Sequence, residues 1–107
     1  PEEVDRRGYD PGVFARELDA EDFQERGEVF QLVWGRDYRA ENAAAFAKLV
    51  DADILINGHD PCPAGFQTPN ERQVILDCCS DKATYLILPV AQGLSHADIV
   101  KRIQFLG

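Results

Sequence analysis

The chain has 107 residues, of which 45% are hydrophobic and 28% are charged, as in an ordinary globular protein. This length predicts a single domain over residues 1–107. The net charge of −8 argues against a nucleic-acid-binding surface, because phosphate contacts need concentrated basic residues. The longest apolar run, residues 85–90, is too short to cross a membrane, and the start has no signal-peptide pattern. Three cysteines cannot all be paired, which favours a reducing, cytoplasmic setting.

Two short helices and a strand are predicted in the first third of the chain. Asp10 is expected to cap a helix that starts at Pro11, since proline fits the first helical turn. Residues 21–26 predict another helical turn, which a glycine closes. Glu28–Trp34 alternates between two largely apolar faces and therefore predicts a strand that is buried on both sides.

The middle of the chain predicts a helix, a strand and a long loop. Residues 40–50 are rich in alanine, and their apolar side chains recur every three or four residues, as in a helix with one buried face. A strand is expected at residues 53–57, where the aliphatic run 54–56 indicates burial. Residues 58–71 contain too many Pro, Gly and Asn residues for either element and predict a loop.

Two more strands and a helix complete the predicted fold. Residues 72–78 and 83–90 predict strands that are joined by a hairpin turn. Ser95 and Asp98 have the spacing of a capping box, so a last helix is expected to begin there and to carry Ile103 on its apolar face. The order of elements indicates a mixed α/β fold of about four strands and three helices.

His59, one of two histidines, lies where ligands are commonly bound. It follows Asn57 and Gly58 directly after a predicted core strand, and open α/β sheets bind ligands beyond the carboxyl ends of their strands. Gly58 is expected to provide a sharp turn. His59 is therefore a candidate metal or phosphate ligand, although an ordinary loop histidine is the simpler interpretation. His96 falls in the first turn of the last predicted helix and is interpreted as an exposed structural residue.

The cysteines offer a competing site. Cys62 and either Cys78 or Cys79 could join His59 around a structural zinc ion, but zinc sites normally show regularly spaced pairs of ligands. Adjacent residues on a strand also point to opposite faces, so Cys78 and Cys79 are not expected to act together. Buried, unreactive thiols are the preferred interpretation.

Two arginines follow the predicted strand that ends at Trp34. Arg36 and Arg39 could form a phosphate clamp, because a guanidinium group pairs with two phosphate oxygens at once. The alternative is that both are solvated loop residues.

The order of these features resembles a known enzyme family. A strand predicted to end in Trp34, a helix, a strand leading into Gly58-His59-Asp60, the pair Gly65-Phe66 and two core strands follow one another. This order resembles the C-terminal half of the metallophosphoesterases of the PPP-type serine/threonine phosphatase family, where a strand leads into a [GA]-H-[QTED] turn. The resemblance covers residues 28–90.

The resemblance implies both a fold and an activity. The fold would be part of a metallophosphoesterase-type β-sandwich flanked by helices, with residues 1–27 as a helical lead-in and residues 28–107 as the core. In such enzymes two divalent ions of the Mn, Fe or Zn type activate a hydroxide that attacks a phosphomonoester, phosphoprotein being one option. His59 would be one metal ligand, and Arg36 or Arg39 would bind phosphate.

The sequence also departs from the family pattern. The motifs G-D-x-H-G, G-D-x-x-D-R-G and G-N-H-[ED], which carry the other metal ligands, are absent, and Asp5-Arg6-Arg7-Gly8 lacks the preceding Gly-Asp. One histidine cannot hold a metal pair, so this chain alone is expected to bind no catalytic metal tightly and to be inactive. It is expected to be a C-terminal piece whose exposed strands are covered by the N-terminal half of the same protein or by a second copy. The alternative is a small acidic interaction module that performs no chemistry.

Overall fold

The computed structural model describes residues 1–90 and 93–107. These residues form four α-helices, two short 3₁₀ helices and five strands in two sheets, which confirms the predicted mixed α/β class. The chain divides into two compact units, Pro1–Asp53 and Ile54–Gly107. Among the described residues, no helix has the length and the apolar character that a membrane span requires.

The first unit contains only helices. They are α1 (Val4–Arg7), the 3₁₀ helices Pro11–Ala15 and Glu21–Phe23, α2 (Glu28–Trp34) and α3 (Ala40–Leu49). The predicted alanine-rich helix is confirmed as α3, and its small side chains Ala43 and Ala47 are buried, which allows α1 to pack closely against it. The N–H of Val4 donates a buried hydrogen bond to Oδ1 of Asn42 at 2.6 Å, which fixes α1 on α3.

The cap predicted at Asp10 is present, but the helix behind it is short. Oδ1 of Asp10 accepts a hydrogen bond from the N–H of Gly12 at 2.8 Å, and Pro11 is the first helical residue. The element is a 3₁₀ helix that ends at Ala15, after which the backbone of Arg16 is extended.

The strand predicted at Glu28–Trp34 is wrong: these residues form helix α2. The N–H of Gln31 bonds to the carbonyl of Gly27, and the N–H of Gly35 bonds to that of Gln31, as in a helix. Burial on both sides is also wrong, because no residue of α2 is buried and Trp34 is 55% exposed. Because this run is apolar on both faces, its hydrophobic residues show neither the repeat of a helix nor that of a strand. The residues form a helix, whose hydrogen bonds are local.

The second unit contains a three-stranded sheet. Its strands are β1 (Leu55–Asn57), β2 (Phe66–Asn70) and β3 (Gln73–Leu76), in the order β1-β3-β2. β3 runs parallel to β1 and antiparallel to β2. As the middle strand, β3 contributes the fully buried Val74 and Ile75, whereas Ile56 on β1 is 41% exposed because β1 has only one neighbouring strand in the described structure. The burial predicted for residues 54–56 is therefore only partial.

The loop predicted at residues 58–71 is wrong in its last part, where β2 pairs with β3 through a tight turn. Pro69 can lie within β2 because the pairing with β3 is irregular between Gln67 and Asn70, where no regular ladder bond is required of it. The sequence pattern did not predict this strand, because most of its residues are polar.

The last strands pair differently from the predicted hairpin. β4 (Thr84–Leu86) does not pair with β3; it forms a two-stranded antiparallel sheet with β5 (Ile103–Phe105). The capping box at Ser95 is confirmed, since Ser95 Oγ accepts the N–H of Asp98 at 3.1 Å and the Asp98 carboxylate accepts the N–H of Ser95 at 3.0 Å. Helix α4 (His96–Val100) is short, however, and Ile103 lies in β5 instead of on a helix face.

Candidate functional site

The parallel pair of strands β1 and β3 places two loops at the same edge of the sheet. Leu55 pairs with Gln73 and Asn57 pairs with Ile75, so both strands end at this edge. We call residues 57–62 and 77–79 the carboxyl edge. Such an edge is where open α/β sheets bind their ligands, because loops diverge there and leave a crevice.

Asp77 ties the two loops of the carboxyl edge together. Its buried carboxylate accepts the N–H of Cys62 at 2.8 Å through Oδ2 and the N–H of Cys79 at 2.7 Å through Oδ1. These backbone donors, first that of Cys79 and then that of Cys62, lower the pKa of Asp77, because they favour its charged form. Asp77 is therefore an ionised brace, a role that no pattern in the sequence predicts.

His59 is exposed at this edge and has an unusual backbone. Its φ is +66°, in the left-handed region that residues with a side chain rarely adopt. The sharp turn expected at Gly58 therefore lies one residue later, on the histidine itself, and Gly58 has no positive φ. A left-handed residue with a Cβ costs about 1–2 kcal/mol. Glu3, Arg26 and Asp51 also adopt this region, so the conformation alone does not mark a functional position.

The described residues do not fit a complete metal site. Over residues 1–90 and 93–107, no group of three or more His, Cys, Asp or Glu side chains is arranged to hold an ion. The zinc set of His59, Cys62 and either Cys78 or Cys79 is thus not assembled. Cys62 is buried, and its thiol donates to the carbonyl of Asp60 at 3.2 Å. A metal pair at His59 would need its remaining ligands from outside these residues.

The two adjacent cysteines lie differently from their prediction. Cys78 and Cys79 are both exposed, and their Sγ atoms are 4.0 Å apart. The expectation of opposite faces assumed that the strand continues to residue 78, but β3 ends at Leu76. Asp77 then holds the chain in a bend, and the two thiols come together. Only Cys62 is a buried thiol as predicted.

The candidate phosphate ligands Arg36 and Arg39 lie in the first unit, beside a groove of about 530 Å³. The groove is lined by Glu2, Glu3, Arg36, Asp37, Tyr38 and Arg39. Nη1 of Arg36 donates to the carbonyls of Val33 and Gly35 at 3.1 and 3.0 Å. The lining therefore combines two guanidinium groups with three carboxylates.

Arg39 is engaged by two carboxylates. Its guanidinium contacts Asp37 at 2.7 and 3.0 Å and Asp5 at 2.9 and 3.1 Å. The hydrogen bond from Arg39 holds the pKa of Asp37 at about 2, and the two carboxylates raise the pKa of Arg39. A phosphate would have to displace these carboxylates, and the assignment of Arg36 or Arg39 to phosphate stays a prediction.

Comparisons with protein-family models, with curated proteins and with solved structures found no match for this chain. Its function therefore has to be argued from the carboxyl edge and from the surfaces around it.

Proposed function

We propose that this chain is the C-terminal part of a metal-dependent phosphoesterase that hydrolyses phosphomonoesters, and that His59 supplies one of its metal ligands. The chain on its own would be inactive, since its described residues hold no set of three ligands. The other ligands, and a metal pair of the Mn, Fe or Zn type, would belong to the complete enzyme.

The observation that carries the proposal is the position of His59. An exposed imidazole stands just beyond the carboxyl end of β1, next to the end of its parallel neighbour β3, on a backbone with a φ of +66°. Histidine enters this region more often than most residues, and Glu3, Arg26 and Asp51 also adopt it. The support for a functional role therefore comes from the position of His59 at the carboxyl edge, where sheets of this kind bind ligands.

The order of elements gives further support and one difficulty. Helix α3, strand β1, the turn at His59, Gly65-Phe66 and the central strand β3 follow one another as in the phosphatase family that the sequence resembles. The helix that ends at Trp34 departs from that family, where a strand is expected. The proposal therefore depends on residues 40–77 more than on the residues before them.

The proposal also includes a cellular compartment and a binding partner. Three free cysteines, two of them exposed, favour a reducing cytoplasm over an oxidising compartment. The partner would be the N-terminal half of the same protein or a second copy of the chain.

The test uses the natural gene product that carries residues 1–107. Its reading frame is examined upstream for G-D-x-H-G, and the protein is assayed for hydrolysis of p-nitrophenyl phosphate with added Mn²⁺. His59→Asn is the diagnostic variant, because asparagine tolerates the left-handed backbone but removes the imidazole. We expect the activity to fall at least about 100-fold, more than for a residue that only orients a metal ligand.

His96→Asn is the matched control. His96 is the other histidine of the chain, and its Nε2 lies 3.1 Å from the carbonyl of Gln73, within the fold of the same unit. This variant is expected to retain the activity. A gene product without the upstream motif and without hydrolysis, or one that is equally active with His59→Asn, contradicts the proposal.

A second candidate function is a non-catalytic interaction module. It is favoured by apolar side chains that stand exposed in both units, among them Phe23 at 58%, Trp34 at 55% and Ile87 at 69%. Exposed apolar side chains mark a protein interface where they form one continuous patch, and this candidate requires such a patch within a unit. This candidate predicts a chain that binds a partner protein with or without His59, so the same His59→Asn variant separates the two functions.

A further inference from the structure

The thiols of Cys78 and Cys79 form a pair that neither proposed function uses. Both residues are exposed, and their Sγ atoms are 4.0 Å apart. The bend that brings them together is held by the hydrogen bond from the N–H of Cys79 to Oδ1 of Asp77, and Asp77 is itself fixed by the N–H of Cys62. The buried brace therefore holds the backbone from which the two thiols project on the same side.

The distance between the sulfurs favours a bridging atom over a direct bond. A disulfide requires the sulfurs to close from 4.0 Å to about 2.05 Å. By contrast, two bonds of about 2.3 Å from sulfur to one central atom span about 3.8 Å at a tetrahedral angle and about 3.3 Å at the smaller angle of a pyramidal atom with three bonds. The observed spacing is nearer to these values than to a disulfide, so rotation of the exposed side chains can close the remaining distance.

The number of available ligands narrows the class of ion. Thiolates select soft, thiophilic ions. Zinc, however, normally takes four ligands, and the described part of the chain offers no group of three His, Cys, Asp or Glu side chains. A thiophilic atom that already carries one covalent substituent needs fewer ligands from the protein. Trivalent arsenic with one organic group forms three bonds in all and therefore needs only two thiols.

We propose that Cys78 and Cys79 form an exposed two-thiol site that binds trivalent arsenicals through both sulfurs. Binding would convert R–As=O and two thiols into R–As(S–Cys)₂ and water. Two As–S bonds form, the As=O bond breaks, and both thiol protons leave on the oxygen, so no oxidant or reductant is consumed. The site does not rest on the phosphoesterase proposal.

The protonation of the thiols agrees with this reaction. The neighbouring thiol of Cys78 raises the pKa of Cys79, so Cys79 is a thiol at neutral pH. The thiol of Cys79 then brings one of the two protons that the departing oxygen requires. A thiolate-dependent reaction such as disulfide exchange is disfavoured by the same effect.

The experiment uses phenylarsine oxide and the whole 107-residue chain under reducing conditions. Intact mass should show one phenylarsenic group per chain, and thiol titration of the denatured adduct should leave one reactive thiol of the three. Cys78→Ser and Cys79→Ser should each weaken binding at least about 100-fold, because the second sulfur attaches at a high effective concentration only when both are present.

Cys62→Ser is the matched control, since Cys62 is the third cysteine but is buried away from solvent. It is expected to bind phenylarsine oxide as the unmodified chain does. Unchanged binding by Cys78→Ser or Cys79→Ser overturns the proposal, as does an adduct that leaves all three thiols reactive. The thiol count is measured on the chain without substitutions, so the proposal can be overturned even if a variant does not fold.

Discussion

At the scale of single residues, Gly65 combines a left-handed backbone with a lack of room for a side chain. Its φ is +91°, and a Cβ placed there would collide with the carbonyl oxygen of Lys82 and lie 2.9 Å from Cγ2 of Thr84. The carbonyl of Gly65 also accepts the N–H of Asp77 at 2.9 Å and the hydroxyl of Thr84 at 2.6 Å. Gly65 therefore joins the start of β2 to the chain that leaves β3.

Gly65→Ala is expected to lower the free energy of unfolding by about 2 kcal/mol or more, because it adds a collision to the cost of the left-handed backbone. Gly93→Ala is the matched control: Gly93 has a φ of +80° but nothing within 4 Å of a Cβ, so its loss should be about 1 kcal/mol. Urea unfolding measures both values. Equal losses at the two glycines would show that the contact with Lys82 does not matter.

Asp37 makes a pH-dependent contribution to the first unit. Arg39 holds the pKa of Asp37 at about 2 in the folded chain, below the value of about 4 expected when the chain is unfolded. A depressed carboxyl pKa stabilises the fold at pH values above about 4, and this stabilisation is lost as the pH falls towards about 2. Asp37→Asn should therefore be less stable than the unmodified chain at neutral pH, and the difference should vanish by about pH 2.

Urea unfolding across this pH range tests the expectation for Asp37. The control repeats the comparison in an Arg39→Gln background, where the partner cation is missing. There, Asp37→Asn should have a smaller effect, because the side-chain partner is missing and only the N–H donors of Glu3 and residue 39 remain on the carboxylate. A stability difference that is the same at neutral and acidic pH, or that is undiminished in the Arg39→Gln background, is incompatible with this account.

At the scale of elements, the sequence correctly predicts the helices and strands whose residue patterns fit only one type of secondary structure. Helix α3 was predictable because alanine favours helix and its apolar residues recur at helical spacing. The central strand β3 was predictable because its aliphatic run is short and bounded by polar residues. The capping box before α4 was predictable because Ser95 and Asp98 bond to one another's backbone, which is a purely local interaction.

The elements that were mispredicted depend on contacts distant in sequence. The helical spacing of Ile103 from Ile99 predicts a helix, yet Ile103 pairs with Leu86 across the second sheet. The polar residues of β2 predict a loop, yet Phe66 pairs with Leu76. Strand pairing of this kind is decided by tertiary structure, and local propensity does not reveal it.

The same division applies to the candidate site. The position of His59 after a strand could be predicted, because the chain order places it there. Its left-handed backbone, the brace formed by Asp77 and the approach of two thiols to 4.0 Å could not be predicted. They arise where the loops after β1 and β3 meet, and that meeting depends on the parallel pairing of strands far apart in sequence.

At the scale of the whole molecule, the second unit combines apolar exposure with open strand edges. Ile87 is 69% exposed and Leu106 is 57% exposed, and each lies one residue beyond a strand of the two-stranded sheet. Within the described structure, β5 pairs only with β4, so its other edge keeps backbone groups available to another chain. The edge of β4 is open only beyond Thr84, whose N–H already donates to the carbonyl of Asp77 at 2.8 Å. Helix α2 also exposes apolar side chains, but its backbone bonds are made within the helix.

The chain should therefore associate with copies of itself through the second unit, and Ile87→Ser combined with Leu106→Ser should shift it towards monomer. Sedimentation velocity over a range of protein concentrations measures this shift. The control is Leu32→Ser combined with Val33→Ser, which removes exposed apolar side chains from α2 in the first unit but leaves every strand edge unchanged. This control should sediment like the unmodified chain, because apolar area without an open edge adds no strand pairing. The expectation is wrong if the α2 variant abolishes association, or if the variant at Ile87 and Leu106 still associates. Either result would assign the contact to the first unit.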